Sequence, residues 1–276
     1  MSSPFTVHMS FSRRFVHTSM NARQLFDLTG RVALITGGSI GLGRQVAQAF
    51  AEMGADVVLC ARKRERCEQA ALELQALGVR ALALAGDVTR PQDVQNVVDA
   101  SMTEFNRLDI LVNNAGISWG AHFEEMSLAE WHKVLETNLT GTFLFSQAAG
   151  KVMIKQGSGK IINMASVAGL GGAPTEMVEA TAYHASKGAV ITMTKDLACK
   201  WARHNIQVNA IAPGWFPTHM SDWVIEHRRD MLLESIPLRR FGGEDDLKGA
   251  AVFLASPASA YVTGHVLVVD GGQTAW

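Results

Sequence analysis

The chain is short of cysteine, of net charge and of long apolar runs. Its cysteines are Cys60, Cys67 and Cys199. They form neither a disulfide framework nor a metal-ligand spacing, so a reducing compartment is expected and a metal is not. A formal net charge of −1 removes any general electrostatic case for nucleic acid or an anionic membrane as partner. No apolar run approaches the ~20 residues needed to cross a bilayer. Acid is missing altogether ahead of Asp27. That stretch, residues 1–26, carries Arg13, Arg14, Arg23 and several serines, a transit-peptide-like composition that would imply the mitochondrial matrix. An upstream start codon or a tail, with translation from Met20 and a cytoplasmic protein, is the simpler reading. Either way one domain is expected over residues 27–276, because α/β folds of this length often form a single unit.

What is present is apolar sequence in short, regular pieces. Hydrophobic residues make up 47% against 18% charged, enough for a substantial core. Val32–Ile35, Val57–Leu59, Ala81–Leu84, Ile110–Val112, Lys160–Asn163, Ile206–Ile211 and His265–Val269 read as buried strands. Helical patterns separate them: Leu42–Met53, Arg66–Leu77, a run after Pro91, one long stretch over about Leu128–Lys155, and the segment around Tyr183. Strands apolar throughout, alternating with helices, predict a doubly wound α/β fold of Rossmann type. Its seven-stranded parallel sheet should be covered by helices on both faces.

In such a sheet the ligand lies beyond the carboxyl ends of the strands. The first strand is followed by Thr36-Gly37-Gly38-Ser39-Ile40-Gly41-Leu42-Gly43. Gly37, Ser39, Ile40, Gly41 and Leu42 are the candidate phosphate cradle, where glycines permit a tight turn and close approach of backbone to phosphate. The spacing is G-x-x-x-G-x-G and departs from the general G-x-G-x-x-G fingerprint. Strand two ends Cys60-Ala61-Arg62-Lys63, with no acid at its tip. An acid there would bond a ribose 2′-hydroxyl, whereas Arg62, with Lys63 beside it, can grip a 2′-phosphate. NADP(H) is therefore expected ahead of NAD(H). Asp87 and Val88 after strand three, and Asn114, Ala115 and Gly116 after strand four, would supply adenine and ribose contacts.

Tyr183 and Lys187 stand at i and i+4, on one face of a helix. A phenol titrating near pH ~10 exchanges protons poorly at neutrality. A fixed ammonium beside it would favour phenolate and pull that value down, as a general acid/base requires. Alone, Y-x-x-x-K is as common on ordinary helix surfaces.

Taken together the motifs resemble those of the short-chain dehydrogenase/reductase family, from about Thr29 to Gly272. The likeness is carried by T-G-x-x-x-G-x-G at Thr36–Gly43, N-N-A-G at Asn113–Gly116, Asn138, Ser166 in I-N-x-x-S, Tyr183 with Lys187, and Pro213-Gly214 with Thr218. The resemblance implies an oxidoreductase that interconverts a ketone and a secondary alcohol by hydride transfer. By the same resemblance Tyr183 is the general acid/base and Ser166 bonds the reacting oxygen. Lys187 lowers the tyrosine pKa and holds the nicotinamide ribose, and Asn138 keeps a helix kink open for a water that links Lys187 to solvent. Thr218 and the backbone through Pro213, Gly214 and Phe216 would hold the carboxamide end of the ring. A homotetramer is implied as well. A dinucleotide-binding sensor that had lost its chemistry would keep the same fold, and the presence of Ser166, Tyr183 and Lys187 together argues against it.

For the substrate, Ala115–Ala121 and Ile211–Pro217 most resemble 3-oxoacyl thioester reductases, including the ketoacyl reductase of rhamnolipid synthesis. The gluconate 5-dehydrogenase-like branch shares the overall pattern. Trp119, Phe123, Met177, Trp215, Phe216, Met220 and Trp223 fit an acyl chain or bulky ketone better than a polyhydroxy acid. A sugar acid would need a cation for its carboxylate, and His184 is the nearby candidate. Tyr183 lies 17 positions after Ser166, a longer separation than the family's, so an unusual pocket wall is expected from residues 169–180.

Overall fold

The structure, a computed structural model, describes residues 20–276. Residues 1–19, and with them the targeting expectation, lie outside the described residues. Seven strands form: β1 (Val32–Thr36), β2 (Asp56–Ala61), β3 (Ala81–Ala85), β4 (Ile110–Asn113), β5 (Gly159–Met164), β6 (Ile206–Pro213) and β7 (Val266–Val269). They build one parallel sheet in the order β3-β2-β1-β4-β5-β6-β7. All seven strands read from the sequence are there, with ends displaced by no more than two residues. The order reverses between β1 and β4, so the loops leaving these neighbours diverge and open a crevice at the switch point.

Strand β1 shows why both faces are covered. Ala33 and Ile35 pack with Phe50 of α1 (Gly41–Glu52), Leu74 of α2 (Arg64–Gln75) and Ala251. Val32 and Leu34 alternate to the other face. There they meet Val97 of α3 (Pro91–Phe105) and Phe145.

The long stretch expected as one helix is divided. Helix α4 (Leu128–Leu135) runs into a π turn over Glu136–Thr140, and α5 (Gly141–Gln156) continues from it. A π turn adds a residue to the helical repeat and commonly marks a functional position. Here it turns Asn138 inward, 1% exposed. Helix α6 (Thr181–Trp201) carries Tyr183 and Lys187. Three helices had no counterpart in the sequence reading: α7 (Asp222–His227), α8 (Arg229–Ser235) and α9 (Lys248–Ala255). At six to eight residues each, they are too short to display a helical period. No helix among the described residues is long and apolar enough to cross a membrane.

Candidate active site

The turn after β1 and the turn after β4 are laced together at the switch point. Thr36 Oγ1 accepts the backbone N–H groups of Asn114 at 3.0 Å and Ala115 at 3.1 Å. Asn114 Nδ2 donates to the carbonyls of Thr36 at 3.0 Å and Gly37 at 3.1 Å. This closeness explains two of the glycines. Gly37 sits at φ +63°, and a Cβ there would lie 2.9 Å from Asn114 Nδ2; a Cβ on Gly43 would fall on the same amide.

Beyond the turns lies a cleft of about 2380 Å³, larger than the ~300–1,000 Å³ of a typical small-ligand site. It has room for an extended dinucleotide and a second molecule. Gly37, Ser39, Ile40, Gly41, Leu42, Arg62, Lys63, Asp87, Val88, Asn114, Ala115 and Gly116 all line it. So do Ser166, Tyr183, Lys187, Pro213, Gly214, Phe216 and Thr218. Asn138 lies behind the wall. At the glycine-turn end, Arg62 and Lys63 are joined by two cations the sequence reading passed over, Arg44 of α1 and Arg66 of α2. Arg44 pairs with Glu73, yet its Nε is buried without a partner. Burial pushes the Asp87 carboxyl up, but hydrogen bonds from Thr89, with Arg62 and Arg90 nearby, hold it below its ordinary value.

At the other end the catalytic candidates converge from β5 and α6. Ser166 caps a single 3₁₀ turn, Val167–Gly169, and its Oγ accepts Ala168 N–H at 3.2 Å. That turn rests directly on α6, for a Cβ on Gly169 would lie 2.6 Å from the Lys187 carbonyl carbon and 2.8 Å from Gly188 N. Lys187 is 5% exposed. Its ammonium donates to the Met164 carbonyl at 2.6 Å and stands 5.5 Å from the centre of the Tyr183 ring.

The electrostatics differ from the expectation. Burial holds the Tyr183 phenol above its ordinary value, and the force that opposes it is the Ser166 hydroxyl rather than the lysine charge. Burial also pushes the Lys187 ammonium down to about 8. Tyr183 is therefore a neutral phenol at neutral pH, the state a proton donor needs.

Asn138 also does something the sequence did not disclose. Its side chain binds both backbone groups of Ile117, at 2.8 and 2.9 Å, and donates to Ser186 Oγ at 3.0 Å. Ser186 Oγ in turn donates to the Tyr183 carbonyl at 2.7 Å.

The remaining wall is largely apolar. Trp119, Met177, Trp215 and Met220 line the cleft with Phe216, while Phe123 and Trp223 stand outside it, 70% and 62% exposed. The long segment before α6 contributes Leu170, Met177 and Val178 to the wall, so it borders the cleft as expected. The Lys133 ammonium sits over the Trp119 ring, 5.0 Å from its centre. His184 faces the cleft with Nδ1 3.0 Å from the Ala180 carbonyl.

The glycine cradle, whose Cβ positions would be filled, and the cations at one end suit a phosphate-bearing dinucleotide. Comparison with known proteins agrees with this geometry. A family model described as "Enoyl-(Acyl carrier protein) reductase" matches residues 37–274. Gluconate 5-dehydrogenase from Gluconobacter oxydans is 41% identical over 261 residues, covering 92% of this chain and 99% of the relative. A 3-oxoacyl-[acyl-carrier-protein] reductase from Synechocystis sp. is 39% identical over 248 residues, covering 89% and 98%. The crystal structure of a gluconate 5-dehydrogenase from Burkholderia cenocepacia, in complex with NADP and tartrate, superposes with a TM-score of 0.88. It is 39% identical and covers 92% of this chain and 99% of that one. Matched over nearly its whole described length, the chain belongs to the short-chain dehydrogenase/reductase family of oxidoreductases.

Proposed function

We propose that this protein is an NADP(H)-dependent enzyme that interconverts a bulky ketone and its secondary alcohol, with a 3-oxoacyl thioester as the leading substrate class. The observation that carries the reading is the convergence of Ser166, Tyr183 and Lys187 at one end of a cleft whose other end offers a glycine cradle and Arg62. The dinucleotide, when bound, supplies or accepts the hydride. Gly37, Ser39 and Gly41 would face its phosphates, Arg62 and Lys63 the 2′-phosphate, and Lys187 the nicotinamide ribose.

The chain's own residues account for the proton. In reduction the neutral Tyr183 phenol donates its proton to the carbonyl oxygen as negative charge develops there. Ser166 Oγ, which accepts from Ala168 N–H, can turn its hydroxyl hydrogen from the Tyr183 oxygen to the reacting oxygen and stabilise the same charge. In oxidation the phenolate takes the hydroxyl proton back. Lys187, one turn below Tyr183, favours that phenolate once it forms. The apolar wall of Trp119, Met177, Trp215 and Met220 excludes water and gives an acyl chain a surface to lie on.

A second reading, a sugar-acid or polyol dehydrogenase, draws on one specific observation. Lys133 lines the cleft and, with His184, could meet a carboxylate. NADPH oxidation with acetoacetyl-CoA, a long-chain 3-oxoacyl thioester and 5-ketogluconate separates the two. Turnover confined to 5-ketogluconate would sink the acyl reading.

We also infer a homotetramer in the cytoplasm. Leu128, Phe143 and Ile154 on the outer face of α4 and α5 are exposed, Tyr261 is fully exposed, and edge strand β7 is only half-buried. Apolar surface and an open sheet edge of this kind favour cover by a second copy. Sedimentation velocity tests it, and a monomer would contradict it.

A further inference from the structure

We propose that His122 and Glu179 form a clasp that fixes the substrate wall and thereby tunes the enzyme for bulky substrates, without either side chain touching substrate. The inference rests on the ketone-reductase reading of the cleft. It concerns the segment between Ser166 and Tyr183, which is longer than the family's usual spacing.

That segment is weakly held past Gly169. A Cβ on Gly171 or Gly172 would meet nothing within 4 Å, so the backbone there lies in open space. Further on, Met177 N–H and Val178 N–H both donate to the Pro174 carbonyl, at 2.9 and 3.2 Å, which closes a local turn and anchors it to nothing else. The attachment comes at Glu179. Its carbonyl accepts Ala121 N–H at 3.1 Å, and its carboxylate Oε2 lies 2.8 Å from His122 Nδ1. Two bonds thus join the segment to the loop after β4. The two backbones run close here: a Cβ on Gly120 would be in ordinary contact with the Glu179 carbonyl, at 3.5 Å.

The neighbours of the clasp face the cleft while the clasp does not. Ser118 and Trp119 on one loop, and Met177, Val178 and Ala180 on the other, line it; His122 and Glu179 do not. Releasing the clasp would therefore let the wall drift without removing a contact group. Tyr183 would stay in place, because α6 is held separately by Gly169, by Lys187 on Met164 and by Ser186 on Asn138. A single side-chain contact of this kind, with His122 largely exposed and Glu179 half-buried, adds little to global stability. Its leverage here is on a loop of low local stability, the kind that opens first. The consequence falls on KM for a substrate that reaches the wall, and hardly on kcat.

The test is steady-state kinetics with NADPH on a bulky ketone, 3-oxododecanoyl-CoA, and a small one, ethyl acetoacetate. Glu179→Ala and His122→Ala should each raise KM for the bulky ketone about three- to tenfold, and change kcat by less than about twofold. KM for the small ketone should hold. The double variant should be no worse than either single one, the mark of coupled residues. Glu179→Gln, which keeps an acceptor oxygen, should stay near the wild type. Unchanged KM in the single variants, additive effects in the double, or an equal fall in kcat on both ketones would overturn the clasp alone. A wild-type protein silent on both ketones would overturn the functional reading, and the inference with it.

Discussion

The side chain of Asn138 and the backbone of Ile117 grip each other twice: Oδ1 accepts Ile117 N–H at 2.8 Å and Nδ2 donates to the Ile117 carbonyl at 2.9 Å. The amide copies the pairing a neighbouring strand would offer, and it does so from a π turn. Gly116 lies beneath it, where a Cβ would be 3.2 Å from Asn138 Oδ1 and 3.7 Å from Lys187 Nζ. One asparagine thus ties the loop after β4 to the helix of Tyr183. Asn138→Ala would strand a part-buried backbone N–H and carbonyl. We predict a loss of about 1–3 kcal/mol, read from denaturant unfolding, with kcat reduced as well. An unchanged unfolding midpoint would contradict the clamp.

Gly169 makes a sharper test of positioning. Its turn touches the α6 backbone at Lys187 and Gly188, which are not flexible atoms that can step aside. Gly169→Ala should cost about 1–3 kcal/mol through overpacking and lower kcat by displacing Ser166. The KM for NADPH should change little, because the cradle lies on another loop. A variant with wild-type kcat would show that the turn has room.

Much of this was legible in the sequence, for identifiable reasons. Buried parallel strands are apolar on both faces, so central strands such as β1, β2 and β4 announce themselves as short continuous runs. The glycine turn and the Tyr183–Lys187 spacing are local patterns set by backbone geometry, and they lie where the sequence places them. The π turn was not legible in the residue pattern, since Glu136-Thr137-Asn138-Leu139-Thr140 contains no glycine or proline to break a helix; only the resemblance put a kink at Asn138. The partner of Asn138 there, the Ile117 backbone, lies 21 positions away in the sequence. The same holds for the electrostatics. Spacing alone put Lys187 beside Tyr183, but burial, which depends on the whole fold, decides the direction of both shifts. Arg44 and Arg66 reach the cleft only because α1 and α2 flank the same loop ends.

Lys187 gives a prediction in pH. Burial lowers its folded-state value from 10.5 to about 8. Between those values the unfolded chain keeps a proton the native protein has released, so this group's contribution to stability rises with pH across that window. The cost of charging the buried amine is fully present below about 8 and gone above 10.5. Lys187→Met removes it. The stability of the variant relative to the wild type should therefore fall by roughly 2–3 kcal/mol between pH 7 and pH 10. A difference independent of pH would mean the ammonium is not desolvated.

Arg62 should govern cofactor choice. It lines the cleft just beyond the tip of strand two, which itself ends without an acid. Arg62→Ala removes a charge-assisted contact worth about 1.5–3 kcal/mol. KM for NADPH should rise about tenfold or more, while KM for NADH stays near its wild-type value. Equal changes for both cofactors would assign the residue a structural role.

The most direct measurement is NADPH turnover by the wild type and Tyr183→Phe on the same thioester. The phenol oxygen is the proposed proton donor, and phenylalanine keeps the ring but loses that oxygen. The variant should bind NADPH as before, seen by fluorescence titration, and lose about 10²–10⁴-fold in kcat. Turnover by Tyr183→Phe at the wild-type rate would show that another group moves the proton.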